Sequence, residues 1–381
     1  MPYIVLIAAV LAVALLWWMF RRTQTAGRAP ASLPMAPMPA GGAQRSALRE
    51  TASAPAPAPW SGLAPSTVPL PAALEGFRWL AETDLEPARR DSLLAAVRGI
   101  PRPPRSMQQL LSPEFLANAS SSDLGELVMA EPLIAAKVLS TVNSPAYGLQ
   151  KPVTHIGQAV TFLGINTVRS ICLQYMLAEA FKPKLAEAQQ AFDRIWRASA
   201  LASELAVRLG KALQLQQQGS LATQVVLGFV GQLATASLIP PAGLASWQAN
   251  DRLGRARLEQ DLLGLSASEI GAVLMKSWDL PAGLVADVAD SGRLLVTPPH
   301  TADQARLPQL ALAYLCTRLG ERLAQRELDV LDGYDPAADE APDMHHLRAA
   351  LAHPGLARLG EALQAPELLA AVRLLLSRGA A

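Results

Sequence analysis

The sequence predicts an all-α protein: one transmembrane helix, a disordered Pro/Ala-rich linker, and a helical body. Three observations predict it. Hydrophobic residues make up 51% of the chain but aromatics only 5%, so a core has to be built from Leu, Ala and Val, the composition of packed helices. Beyond residue 70, apolar residues recur at helical spacing, and no run of alternating β-branched residues suggests a strand. The first twenty residues carry no charged side chain before Arg21.

That opening run, residues 1–22, has the length a bilayer-crossing helix needs, roughly 20 residues at about 1.5 Å each. Trp17 and Trp18 stand at one end, where indoles favour the membrane interface, and Arg21 and Arg22 follow. A cleaved signal peptide carries its positive charge before the apolar run, whereas here it comes after. The positive-inside rule then places the short N-terminus outside the inner (cytoplasmic) membrane and the body in the cytoplasm. Residues 23–70 turn to Ala, Pro, Gly and Ser, with "SAPAPAP" at Ser53 to Pro59. Such a segment cannot bury enough apolar surface to offset its ordering entropy, and it reads as a disordered tether.

Residues 71–98 form a short helical segment, two helices split at Pro87, with Gly99 closing the second and "PRPPR" (Pro101 to Arg105) refusing a helix. The main domain, residues 99–381, follows. Asp123 with Glu126 suggests a capping box for a helix bearing Leu124, Leu127 and Val128. Pro132 fits the first turn of the next helix, which carries Leu133 to Val142 and must stop before Pro145. Asn143 and Ser144 are expected to satisfy its end, while Gly148 supplies a turn and Tyr147 buries its ring. A third helix is expected from Thr154 as N-cap to Gly164 as C′ residue, and a fourth from Asn166 or Thr167 to about Phe181. Periodic stretches at Phe192–Leu209, Gln224–Leu238, Ser268–Trp278, Ala282–Asp290, Leu307–Leu323 and Pro366–Leu375 complete the set.

Lys+Arg 33 against Asp+Glu 32 leaves the chain near neutral, which argues against a broad nucleic-acid footprint. Cys172 and Cys316 lie in apolar, helix-like stretches without metal spacing and read as two buried thiols. His345, His346 and His353 sit with Asp343 in "PDMHHLRAALAHPG", but no HExxH or other one-turn pair occurs. His155 falls in a first helical turn and faces solvent. Ser266 is the natural N-cap of the helix containing Ile270, with Glu269 in capping-box position. No GxSxG, P-loop or GxGxxG occurs, and carboxylates are scattered singly.

"IPRPPRSMQQLL", "SSDLGELVMAEPLIAAKVLSTVNSPAYG" and "VTHIGQAVTFLGINTVRSICL" together resemble the HDOD domain, a bacterial all-helical signalling module related to HD-type metal phosphohydrolases. Glu131-Pro132, Asn143-Ser144, Tyr147-Gly148, Leu163-Gly164, and Asn166 with Arg169 carry the resemblance, which is clearest over residues 99–295. The relationship to HD hydrolases implies a histidine near Ala198, a His-Asp pair at Gly231-Gln232, a histidine near Ala267 and a further pair near Ser291-Gly292. No histidine stands between His155 and His300, and Gly, Ala and Ser cannot ligate a divalent metal in their place.

The expectation is a non-catalytic, membrane-tethered signalling or scaffolding module without a cofactor. It acts through contacts with other signalling proteins, and self-association is left open. Fusions of similar domains to response-regulator or cyclic-dinucleotide domains imply a signal-transduction setting. The alternatives are a residual HD-type phosphohydrolase and a cyclic-dinucleotide-binding domain, for which Arg89-Arg90 is the main support.

Overall fold

A computed structural model describes residues 62–144, 149, 151–183, 186–215 and 218–378, all within one compact unit. The anchor with Trp17, Trp18, Arg21 and Arg22, most of the linker, and Tyr147 and Gly148 lie outside the described residues. Among the described residues every regular element is helical. Helices of eight residues or more are α1 (Pro87–Arg98), α2 (Ser121–Met129), α3 (Pro132–Val142), α4 (Ile156–Leu163), α5 (Ile165–Ala180), α6 (Ala186–Ala212) and α7 (Gln218–Gly228). They continue with α8 (Val230–Leu238), α9 (Pro241–Gln248), α10 (Arg252–Leu263), α11 (Ala267–Ser277), α12 (Ala282–Arg293), α13 (Leu307–Gln325) and α14 (Pro366–Arg378).

The caps show how the chain is cut into these pieces. Pro87, Pro132 and Pro241 each open a helix at its first position, where a missing N–H costs nothing. Pro87 therefore starts α1, and the expected helix before it is reduced to the short turns Ala72–Glu75 and Glu82–Asp84. The box at the head of α2 is Ser120 with Asp123, three residues earlier than Asp123 with Glu126: the Ser120 hydroxyl accepts from Asp123 N and the Asp123 carboxylate accepts from Ser120 N. His155, not Thr154, takes the N-cap position of α4 and is exposed; the Thr154 N–H instead donates to Gln158. Gly164 between α4 and α5 has φ 86° and ψ 151°, a region open essentially to glycine alone.

The N-terminal sub-bundle packs α2, α3, α4 and α5 around Leu124, Val128, Val138, Val142, Ile156, Val160 and Leu173. The other half is organised by α6 lying along α13. There Gly320 lets the two backbones meet: a Cβ at that position would overlap the Ala198 carbonyl and stand 2.8 Å from Ala202 Cβ. The expected Gln224–Leu238 helix is two helices, because Phe229 bonds back three residues to Val226 and breaks the register after Gly228. Among the described residues the stretch Ser220–Leu238 is long and apolar enough to cross a membrane, but 83% of it is buried inside the fold, as a core element is. Both cysteines are buried and free, and burial pushes the Cys172 thiol up to about 12.

Helices α9 and α10 were not foreseen, and α10 matters most. Asp251 caps it, accepting from Gly254 N at 2.6 Å, and Gly264 ends it with φ 96°. Residues 77–89 pack across it. The Leu80 N–H donates to Gln260, Gln260 donates back to the Arg78 carbonyl, and Arg89 reaches the Gln260 and Asp261 carbonyls.

Candidate functional site

Helices α8 and α11 cross with almost no side chain between them. A Cβ on Gly231 would overlap the carbonyl oxygen of Ala267, and one on Gly271 would lie 2.9 Å from the Gly231 Cα. The same happens between α11 and α12, where a Cβ on Gly292 would collide with the Ser268 hydroxyl. Glycine is needed at these crossings because anything larger forces the helices apart.

Beside the crossings lies a cavity of about 70 Å³. Gly231, Gln232, Ala267, Ser291 and Gly292 line it, the positions at which HD-type ligands are expected. Ala198 is not among them: it is buried against Gly320, and Trp196 lines a separate cavity of about 430 Å³ with Tyr175.

The remaining walls are charged. Helix α10 contributes Arg252, Arg255 and Glu259, and α13 contributes Tyr314 and Glu321. Glu321 is 4% exposed and accepts from Gln232 Nε2 at 2.6 Å, Arg252 Nη2 at 2.9 Å, Arg252 Nε at 3.2 Å, and Arg255 Nη2. Burial pushes its carboxyl up, but the two guanidiniums outweigh that and hold it down to about 2. Arg252 also stacks over the Tyr314 ring at 4.5 Å, and the Tyr314 hydroxyl donates to the Asp343 carbonyl at 2.7 Å.

Glu259 is the opposite case. Its carboxylate accepts from Trp247 Nε1 at 2.8 Å and from Ala267 N at 2.6 Å. Burial nevertheless prevails over these bonds and pushes it up to about 7. Glu259 thus fills the role expected of Ser266. Ser266 holds the N-cap position of α11, but its side chain makes no capping bond, and Glu269 turns away to Trp79 Nε1 at 2.8 Å and Arg293 Nε at 2.7 Å. Trp79, brought in by the segment before α1, closes one side of the cavity.

A divalent metal of the HD type does not fit this arrangement. Gly231, Ala267 and Gly292 offer no side-chain donor, the Ser291 hydroxyl donates to the Val288 carbonyl, and both carboxylates are turned onto their own N–H donors. Among the described residues no group of three or more His, Cys, Asp or Glu side chains is placed to share an ion. His345 and His346 are buried side by side, ring centroids 4.9 Å apart; burial, then His345 and His300, lowers His346 to about 4.

The residues that carry the HDOD resemblance lie elsewhere and act as fasteners. Glu131 accepts from Ser106 Oγ at 2.8 Å at the head of α3, directly before Pro132. Asn143 does not close the end of α3 with its side chain, as expected from sequence. It clamps the Val153 backbone ten residues on, donating to the carbonyl at 2.7 Å and accepting from the N–H at 2.6 Å. Ser144 continues the turn, its N–H donating to the Thr141 carbonyl at 3.2 Å. Leu163 ends α4 before Gly164, and Arg169 is buried, its guanidinium over the Phe115 ring, reaching Asn166 Oδ1 and the Phe115 carbonyl. Sequence reasoning found these fasteners and missed Arg252, Arg255, Glu259 and Glu321. The local signal for the first three was "DRLG…LLG", a capped helix without an apolar stripe, and Glu321 on α13 had none.

The sequence model of the HDOD domain matches residues 100–293, which is 194 of the 381 residues. Among solved structures, an HDOD domain protein of unknown function from Geobacter sulfurreducens is similar at 18% identity and a TM-score of 0.52, covering 75% of this chain and 98% of that one. A candidate signal transduction protein from Marinobacter aquaeolei is similar at 22% identity and a TM-score of 0.50, covering 77% of this chain and 65% of its own length. A candidate phosphohydrolase from Shewanella amazonensis aligns at 21% identity with a TM-score of 0.47, covering 74% of this chain and 98% of that one. A comparison with proteins of curated function returns no match. With the match spanning more than half of its length, the chain belongs to the HDOD domain family.

Proposed function

We propose that this protein is a membrane-tethered, non-catalytic signalling module that works through contacts with other proteins. One observation carries the reading: the space a ligand side chain at position 231 needs is filled by the backbone of Ala267. A hydrolase of the HD type draws its Lewis acid and its activated water from a metal held at such positions. Here the neighbouring charges close on one another, Arg252 and Arg255 on Glu321, instead of on an ion. The tether reading rests on the uncharged run before Arg21 and the Pro/Ala-rich residues 23–70. The signalling setting is supported by the family and by the likeness to the Marinobacter protein.

The test is to purify the full-length chain, measure bound Fe, Mn and Zn, and assay phosphodiester hydrolysis with and without added metal. The expected result is no stoichiometric metal and no turnover above buffer; stoichiometric metal with turnover overturns the reading. Membrane fractionation of the full chain beside a chain lacking residues 1–22 tests the anchor, with recovery of the full chain in the soluble fraction as the refuting result.

A further inference from the structure

We propose that the cavity between α8, α10, α11 and α12 is an oxyanion site that takes phosphate, either free or as the terminus of a phosphomonoester. Three features point there independently of the signalling role. Ser266 is 99% buried and lines the cavity, and its hydroxyl has no hydrogen-bond partner among the described residues. Buried hydroxyls are satisfied in the great majority of cases, so an orphan beside a cavity marks a missing acceptor or donor.

The second feature is Arg255. Its side chain is 7% exposed and spends Nη2 on Glu321; among the described residues Nε and Nη1 bond no protein group. A buried guanidinium with idle donors in a planar fork is suited to a tetrahedral oxyanion. Arg252 stands beside it, held on the same carboxylate through Nε and Nη2, with Nη1 bonding no protein group among the described residues. Third, the eleven-residue helix α11 begins at this wall: Ser266, Ala267 and Ser268 all line the cavity, and the Ser266 side chain makes no capping bond, Glu259 taking the Ala267 N–H alone. The N-terminus of a helix favours an anion through its free N–H groups and its dipole.

The charge balance is consistent with this. Two guanidiniums face one ionised carboxylate, Glu321, while Glu259 is kept largely protonated below about pH 7 by burial. Neither carboxylate competes for the idle donors, since Glu259 is turned to Trp247 and Ala267, and Glu321 to Gln232 and the arginine N–H groups it already holds. A cavity of about 70 Å³ has room for several waters or one small oxyanion.

Calorimetric titration of the purified full-length chain with potassium phosphate, against potassium chloride at matched ionic strength, tests the proposal. The expected result is saturable binding of one phosphate per chain with a Kd of about 1 mM or tighter. Arg255→Lys, which keeps the charge on Glu321 but loses the fork, is expected to weaken binding about tenfold. Ser266→Ala is expected to weaken it about threefold while leaving Tm unchanged, because the hydroxyl has no protein partner to lose. That variant separates binding from folding if Arg255→Lys is poorly folded. A second titration with 5′-AMP distinguishes the sources: competition with phosphate assigns a phosphomonoester terminus, and phosphate binding without AMP binding assigns the free ion. Absence of saturable phosphate binding overturns the proposal. So does phosphate binding of equal strength in wild type and Ser266→Ala.

Discussion

Replacing Gly231 by alanine is the sharpest probe of the α8–α11 crossing. The new methyl carbon would be placed inside the carbonyl oxygen of Ala267, with the Ala267 carbonyl carbon and the Gly271 N–H behind it. Carbon contacts are comfortable only near 3.5–4 Å, so the two helices must part by about 1 Å or more to admit it. Backbone lies on both sides, and no flexible side chain can give way. Overpacking of a core costs typically about 1–3 kcal/mol and occasionally more, and a backbone-limited site belongs at the top of that range, about 3 kcal/mol. In a body of this size that corresponds to a fall in Tm of roughly 4–5 °C.

The assay is urea denaturation followed by circular dichroism, with Gly125→Ala as the control. Gly125 lies inside α2 with no atom within 4 Å of its hypothetical Cβ. Alanine there should stabilise by about 0.5–1 kcal/mol through helix propensity alone. If Gly231→Ala costs less than about 0.5 kcal/mol, the helices are not in contact as described. Position 231 could then carry a larger side chain, and the main support for a non-catalytic role would be gone.

Asn143→Ala removes both bonds of the clamp on Val153, and because the site is exposed the loss should be about 1 kcal/mol, measured as a Tm shift. Glu259→Gln should change the pH dependence of stability. The folded carboxyl titrates near 7 and the unfolded one near 4.5, so its contribution is full below pH 4.5 and lost as pH rises through 7, about 3 kcal/mol in all. His346, lowered to about 4, acts the opposite way between pH 6.5 and 4, so the quantity to read is the difference between wild type and variant in urea titrations at pH 5 and pH 8. A difference that does not move with pH would refute the raised value. Glu321→Gln should cost about 3–5 kcal/mol, because Arg252 and Arg255 lose the carboxylate that both of them bond. A cost below about 1 kcal/mol would show that the guanidiniums reach solvent instead.

Where burial follows apolar periodicity, the sequence is readable. Helices α2, α3, α4 and α11 to α14 announce themselves through Leu, Val and Ile at helical spacing, and prolines mark where several of them begin. Helix α10 is silent because its buried face is Leu253, Arg255, Ala256, Glu259 and Gln260, a pattern that reads as a solvated helix. Glu321 looks like an ordinary surface glutamate on α13, since the arginines that bury it lie 66 and 69 residues away in the chain. The Asn143 clamp is hidden for a similar reason: its partner is backbone, and backbone has no signature. Likewise Ser120, Ser121 and Ser122 are equal candidates for the cap of α2, and only the path of the chain selects the first. The cavity itself was reached through resemblance, which named Gly231, Gln232, Ala267, Ser291 and Gly292 without indicating what had replaced their ligands.

That replacement bears on why the cavity is still polar. Once ligands are gone, the least costly outcome is an apolar filling, because a buried ion pair seldom repays its desolvation against well-packed hydrophobic residues of equal volume. Here the α8–α11 crossing has taken that route, with glycine against backbone. Its immediate neighbour has not: Arg255 and Glu321 are buried and Arg252 largely so, a charged triad, and the Ser266 hydroxyl has no partner among the described residues. Stability alone does not account for such a cluster, whereas the proposed oxyanion accounts for the two arginines and Ser266 through the donors they leave open, with Glu321 holding the arginines in place. The helix that carries the two arginines and Glu259 is also the one that residues 77–89 grip through Leu80, Gln260 and Arg89. Trp79 from the same segment closes the cavity wall on Glu269. The cavity and the segment leading back toward the N-terminus therefore share one rigid element, and occupancy of the cavity and the seating of that segment draw on the same set of hydrogen bonds.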